Sequence, residues 1–299
     1  MPRGSGKLRH FLAALLTTAF ACTALPARAD VQMTLLSDLA WHLPEKWFGG
    51  FSGLEVSPDG ETMTAITDRG SIVTARLTRA DGLITGVEVL SRLDMRLSNG
   101  EIPKGAVADA EGLAIDATGR AFVSFEFRHR VTRLDLSNSI TTRLPSHRDF
   151  ETLGTNAGLE ALAIHPDGRL FTLAEGARPV AGTIPLYALS AGRWRIAHRL
   201  PTDDAFLPVG ADFDPGGRLY VLERALTPLG FRSRIRRFDL SGPDPVAQTL
   251  LITDRGAFDN LEGLSVWTDG AGATRLILIS DDNFKIFQRT QIVEYALTE

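Results

Sequence analysis

Residues 111–126, EGLAIDATGRAFVSFE, read as a carboxylate, a short apolar strand, a tight turn, a second apolar strand and another carboxylate. Side chains alternate along a strand, and the Ala-Thr-Gly at 117–119 is turn chemistry, so the unit is a β-hairpin. A hairpin returns to where it began. Glu111 and Glu126 are therefore expected at the same end of the molecule.

The same arrangement recurs along the chain. It begins at Ser52 and ends on Asp68 and Arg69. It begins again at Glu160 and ends on Glu175, then at Val209 and ends on Glu223 and Arg224, then at Glu262 and ends on Asp281 and Asp282. The first positions are 59, 49, 49 and 53 residues apart, and turn glycines fall at Gly60, Gly119, Gly168, Gly217 and Gly270. A period near fifty built of paired strands marks a propeller or a related array.

Further alternating segments lie at 71–78 and 84–93, 130–137 and 140–146, 184–190 and 193–200, and 233–241 and 246–254. Each unit thus holds four strands, the content of a propeller blade. The fifth unit supplies its hairpin and one strand at 290–297, and the chain stops. The segment Val31–Leu39 is expected to supply the missing strand, closing the ring and removing an open edge. Helical periodicity is absent, so the fold class is all-β: a β-propeller of five four-stranded blades. A sixth blade would need strands within 94–109 or 282–290.

The first thirty residues are a separate object. Arg3, Lys7 and Arg9 precede an apolar run from Phe11 to Leu25, and Ala27-Arg28-Ala29 fits a cleavage site. Residues 1–29 therefore read as a secretory signal peptide, too short to span a membrane, leaving a single domain at 30–299 in the periplasm or outside the cell. The run Ala19-Phe20-Ala21-Cys22 is only a faint lipoprotein box, lacking its usual leucine, and lipidation at Cys22 is the lesser alternative. Loss of Arg3, Lys7, Arg9 and Arg28 leaves 28 basic against 36 acidic residues, a formal charge of −8. An acidic chain with no basic run excludes nucleic acid and anionic membrane as partners. Cys22 leaves with the leader, so a mature chain has neither disulfide nor thiol nucleophile.

If each hairpin forms the two inner strands of its blade, all first positions and all hairpin ends surround one mouth of the channel. Glu111, Glu160 and Glu262 are then expected as metal ligands. Asp68, Arg69, Glu126, Glu175, Glu223, Arg224, Asp281 and Asp282 are expected around the substrate. So many converging carboxylates cannot all stay ionised without cations. Hard oxygen donors in a flexible arrangement suit calcium, and neither a His cluster nor a CxxC points to zinc. Such a metal polarises an ester or phosphoryl oxygen and activates water, while arginines clamp an anionic group. The plainer reading of any single carboxylate is a backbone cap or an ion pair holding blades together; repetition at five hairpins is what points to a functional mouth. His129 is the one mature-chain histidine near that mouth, but nothing marks it as a base. No GxSxG elbow occurs, which excludes an α/β-hydrolase mechanism. Trp41, Trp47 and Phe48 form either a substrate platform or, more plainly, core.

The segments FGGFSGLEVSPDG, ITDRG, DAEGLAID, FVSFE, GLEALAIHPDGRLFTLAEG, NLEGLSVW and ILISDDNF together resemble the phytase-like family of secreted propellers, from about Phe48 to Leu297. The resemblance implies a propeller, export and an esterase-like activity, and calcium only through the more distant calcium-dependent propeller phytases. Ser52 and Val209 depart from the Glu-Gly pattern, so the inner ring holds three glutamates, with Asp212 a further candidate. The expected function is metal-assisted hydrolysis of a phosphoester or carboxylic ester by a monomer acting on a small anionic or ester substrate. A sugar-lactonase-like propeller and a non-catalytic ligand-binding scaffold are the alternatives.

Overall fold

The structure, a computed structural model, describes Met1 and residues 31–299 except 156, 177–181 and 203–204. The expected leader and Cys22 therefore lie outside the described residues.

Val31–Glu299 forms one unit. The chain enters through β1 (Gln32–Trp41) and then lays down blade one as β2 (Phe51–Val56), β3 (Thr62–Thr67), β4 (Ser71–Ala80) and β5 (Leu83–Asp94). Blade two is β6 (Ala110–Ile115), β7 (Ala121–Phe125), β8 (Arg130–Leu134) and β9 (Thr141–Arg143). Blade three is β10 (Ala161–Ile164), β11 (Leu170–Leu173), β12 (Thr183–Ser190) and β13 (Arg193–Pro201). Blade four is β14 (Leu207–Phe213), β15 (Leu219–Thr227), β16 (Gly230–Asp239) and β17 (Val246–Ile252). Blade five is β18 (Asn260–Thr268), β19 (Thr274–Asp281) and β20 (Thr290–Thr298), completed by β1.

Five four-stranded sheets, each a run of antiparallel neighbours, account for all twenty strands among the described residues. The loop at 95–109 contributes one isolated bridge, Arg96 with Ile140, and a single 3-10 turn, so no sixth blade forms there. The N-terminal strand closes the ring as expected: β1 runs antiparallel to β20, from Gln32 opposite Thr298 to Trp41 opposite Thr290.

The core is divided rather than central. One apolar cluster fills each gap between neighbouring blades, such as Ile66, Ile72, Leu113 and Val123 between blades one and two. Another holds Trp41, Phe48 and Phe51 against Ile277 and Ile292, between blades one and five. Burying each large aliphatic or aromatic side chain contributes roughly 1.5–3 kcal/mol. Trp41 and Phe48 stack edge-on with ring centres 4.9 Å apart and are buried, so these two aromatics are core and not a substrate platform. Trp47 is half-buried at their flank, next to Arg92.

The inner strands β2, β6, β10, β14 and β18 sit side by side around the axis, with β18 returning to β2. Four of them break register at the corresponding place: between Phe51 and Gly53, Ala110 and Leu113, Pro208 and Gly210, and Leu261 and Gly263. A bulge of this kind inserts an extra residue and re-aims its side chain. Ser52, Val209 and Glu262, the residues skipped at three of these breaks, line the axial space, and Glu160, which precedes the regular strand β10, lines it too. Gly53 is required there, because a Cβ would stand 2.8 Å from both the Glu111 carbonyl oxygen and the Leu113 nitrogen. The space that these residues enclose on the axis is about 10 Å³, room for about one water.

Candidate active site

Each inner strand starts at the mouth, and each second strand ends there. Residues far apart in the chain therefore meet on one face, in two electrostatically different halves.

The first half belongs to blade two. Asp109, Glu111 and Glu126 each direct a carboxylate oxygen to a common place, with the three atoms within 4.8 Å of one another. Asp109 and Glu111 are two apart at the start of β6, and Glu126 follows β7, its backbone N–H donating to the Asp109 carbonyl at 3.0 Å. The Glu126 side chain also accepts from Gly158 N at 3.3 Å and lies in hydrogen-bonding reach of Glu160. Glu111 is 9 % exposed and Glu160 7 %. Burial pushes both carboxyls well above the usual range, and like charges add to it: Glu160 and then Glu262 act on Glu111, Glu262 and then Glu175 on Glu160. Burial also raises Asp109.

The second half is neutralised by Arg224. Its guanidinium bonds Glu262, Asn260 Oδ1 at 2.8 Å and Glu175 at 3.3 Å, while Asn260 donates to Glu262 at 2.7 Å. Burial disfavours the Arg224 charge, but Glu262, Glu160 and Glu175 outweigh it and raise its affinity for the proton.

Blades one and five supply the remaining acids. Asp68 is pushed up to about 7 by burial and by Asp109, and its buried Oδ1 has no hydrogen-bond partner among the described residues. Asp281 is pushed up to about 8 by burial and then Glu262, although its Oδ1 accepts from Asn283 N at 2.7 Å. Asp282 is an organiser of the rim: Oδ1 accepts from Gly50 N and Phe284 N, both at 3.0 Å. Arg69 lies exposed with its guanidinium 3.2 Å from the centre of the Phe284 ring.

The structure thus brings together ten of the eleven expected site residues and sets Glu223 apart. Glu223 and Arg224 are consecutive in β15 and point to opposite faces. The Glu223 carboxylate, 2 % exposed, is held by Arg234 Nε at 2.6 Å and Arg236 Nε at 2.8 Å within blade four. Two residues at the mouth escaped the sequence reading, Asp109 and Asn260. Both stand two before an inner-strand glutamate, in Asp-Ala-Glu and Asn-Leu-Glu, and strand alternation was the available signal. Asp212 is not in the mouth ring. It lies deeper, where Oδ2 accepts from Val266 N at 2.6 Å and Ser265 links it to Glu55.

The blade-two donors fit a hard divalent cation. All are carboxylate oxygens, they converge from three chain positions, and no arginine is bonded to Asp109, Glu111 or Glu126 among the described residues. Among the described residues no helix is long and apolar enough to cross a membrane.

Comparison with solved structures places the chain among known folds. It overlays the PQQ-bound aldose sugar dehydrogenase of Streptomyces coelicolor with a TM-score of 0.51 at 14 % identity, covering 91 % of this chain and 99 % of that one. A luciferin-regenerating enzyme gives 0.47 at 12 % identity, covering 84 % and 93 %. A gluconolactonase of Xanthomonas campestris gives 0.45 at 17 % identity, covering 83 % and 72 %. At these identities the first likeness speaks to the fold alone. No curated protein sequence matches the chain. The sequence profile described as "Phytase-like: Esterase-like activity of phytase" does match, over residues 46–284 and so over most of the propeller, and the chain belongs to the phytase-like family.

Proposed function

We propose that this protein is an exported, cation-dependent hydrolase of ester bonds, working at the acidic mouth of the propeller. The observation that carries the reading is the convergence of Asp109, Glu111 and Glu126, three carboxylates with no ion pair among the described residues, beside a fourth, Glu160. Asp109, Glu111 and Glu126 would hold the cation, with calcium the best match to an all-oxygen, carboxylate-rich donor set. Such an ion supplies Lewis-acid polarisation of a carbonyl or phosphoryl oxygen and a more acidic water. The protein's own part is to hold those donors on rigid strand ends, to keep the floor of the channel closed, and to offer Arg69 to an anionic group on the substrate. Glu160 sits where it can exchange a proton with Glu126. Export follows from the leader pattern of residues 1–29.

A scaffold reading is favoured by one feature, the pinning of Glu262 and Glu175 to Arg224. That pairing covers only one half of the mouth, and the cation is assigned to the other.

The test is metal analysis of the purified protein together with hydrolysis of carboxylic esters, lactones and phosphomonoesters, with and without chelator. Activity that falls on chelation, returns with calcium and is lost in Glu126→Gln supports the proposal. Hydrolysis indifferent to chelator, or no turnover of any ester class, rejects it.

A further inference from the structure

Large apolar side chains are exposed in two places only, among the described residues after the N-terminal methionine. Leu35, Leu83, Leu90, Leu93, Val246 and Ile252 lie in β1, β5 and β17, the outermost strands. Ile102, Phe127, Leu229, Ile286 and Phe287 lie in segments that connect strands at the mouth, and Leu226 lies at the mouth end of β15. At the opposite end Leu83 and Val246 are exposed where β5 and β17 leave their turns, and the turns themselves are built of residues such as Pro58-Asp59-Gly60 and Pro166-Asp167-Gly168. The mouth side carries six such residues against these two, although both ends face water.

The mouth-side residues also project. Leu226 lies three residues beyond Glu223 on a strand that rises 3.2–3.4 Å per residue, so the 226–229 tip stands roughly 10 Å above the acids. Ile286 is fully exposed and Phe287 79 % exposed. They belong to the loop that Asp281 and Asp282 fasten through Asn283 and Phe284, two consecutive residues with positive φ of 47° and 51°. Phe127, directly after Glu126, also has positive φ, at 45°. Backbone of this kind costs energy in a residue bearing a β-carbon and persists where its surroundings enforce it. Apolar groups held out to solvent around a site mark a surface that binds.

Charge within the rim limits what it binds. Arg224 is consumed by Glu262 and Glu175. Arg69 is stacked on Phe284 and, among the described residues, meets no carboxylate at ion-pairing distance. Arg128 and Lys285 also lie exposed in mouth-side segments with no carboxylate at ion-pairing distance among the described residues, but the carboxylates of the mouth outnumber these cations, which favours a single anionic or polarisable head over a polyanion.

Resting on the reading of the mouth as a cation-dependent esterase site, we propose that its substrates are amphiphilic monoesters. The ester or phosphoester head reaches the Asp109–Glu111–Glu126 centre and Arg69, and an apolar acyl, alkyl or aryl body lies on the rim formed by the 226–229 and 284–287 tips and Phe127. A polyphosphate without an apolar body is a poor ligand.

The experiment is calorimetric binding of octyl phosphate, inorganic phosphate, inositol hexakisphosphate and octyltrimethylammonium to the calcium-equilibrated protein. Octyl phosphate is expected to bind at least about tenfold more tightly than phosphate, a small part of what burial of its methylenes can supply. It is also expected to outbind inositol hexakisphosphate. The double variant Ile286→Ser/Phe287→Ser should lose most of the preference with an unchanged melt, whereas Leu90→Ser on the outer strand should retain it. Equal binding of octyl phosphate and phosphate, a preference that survives the rim variant, or tighter binding of octyltrimethylammonium overturns the inference. Hydrolysis of 4-nitrophenyl acetate and octanoate separates the two claims. Selective octyl phosphate binding without turnover of any ester removes the hydrolase reading alone, and turnover with no chain-length or octyl preference removes this one alone.

Discussion

Arg79 grips Glu294 with both prongs of its guanidinium, Nη1 to Oε2 at 2.7 Å and Nη2 to Oε1 at 2.8 Å, across the seam between blades one and five. The carboxylate is fully buried, and the Arg79 side chain is 18 % exposed. Nearby, Ser37 Oγ accepts from Ile84 N at 2.8 Å, so strand β1 is also tied to blade one. The seam is where a ring made from a linear chain can open, and a bidentate charged pair gives it direction as well as attraction.

Glu294→Ala leaves Arg79 without its partner at a buried seam. Breaking such a pair costs on the order of 3–5 kcal/mol, and a large fall in the urea midpoint is expected. Substitution of both partners by apolar residues of similar volume should recover much of the loss. A double variant no more stable than Glu294→Ala would show that the pair is not the seam's main tie.

Cation binding to the folded state raises stability by mass action, about 2.7 kcal/mol at a hundredfold excess over the dissociation constant. Calcium should therefore raise the melting temperature of chelator-treated protein. Glu111→Gln and Glu126→Gln should each suppress the rise. Glu223→Gln, whose carboxylate is bound to Arg234 and Arg236, should destabilise the fold yet retain the calcium response. A response lost in Glu223→Gln and kept in Glu126→Gln would move the site.

Glu55 and Asp212, buried below the mouth and joined through Ser265, add a share of their own to the pH dependence that the raised acids of the mouth also produce. Burial pushes Asp212 up to about 7, and burial together with Asp212 pushes Glu55 well above the carboxylate range. Folded-state values above the unfolded ones mean that the folded protein holds protons the unfolded chain has released. This contribution is complete below the ordinary Asp value near 3.8 and is lost as pH rises to and through about 7. Glu55→Gln places an amide donor next to Ser265 and removes one titrating charge. Its urea midpoint, measured from pH 5 to pH 8, should fall less with rising pH than that of the parent chain. Parallel curves would place the titration elsewhere.

The two arginines of the mouth should separate. Arg224→Ala strands Glu262 and Glu175, and a clear loss of stability is expected. Arg69→Ala should keep the melt and the calcium response while weakening turnover of anionic esters, with neutral esters little changed. Equal loss on both ester classes in a well-folded Arg69→Ala protein would assign that arginine to structure.

The architecture was open to a reader of the sequence because it is written five times. Hairpins beginning at Ser52, Glu111, Glu160, Val209 and Glu262, and a spare strand at the start, leave little else to build. The site was only half legible. Glu223 and Arg224 were both assigned to the mouth although neighbours on a strand face opposite ways, and the pairing of Glu223 with two arginines in β16 depends on cross-strand register. Asp109 stands just outside its strand, and only its place two residues before Glu111 marks it as sharing a face with that residue. The depth of Asp212 was hidden by the bulges. A bulge changes the parity of a strand by one residue, and no side-chain pattern announces it.

Those bulges repeat, but what they carry does not. Ser52 and Val209 interrupt the series of glutamates, and Arg224 discharges the flank near Glu175 and Glu262 while blade two keeps its acids bare. A pseudo-fivefold ring has no intrinsic heading. With the donors of blade two left open to a cation and the flank of Glu175 and Glu262 already occupied by Arg224, the molecule acquires a compass: an anionic ligand end finds its partner toward blade two. Repetition built the bowl cheaply, and the two irregular repeats give it a front and a back.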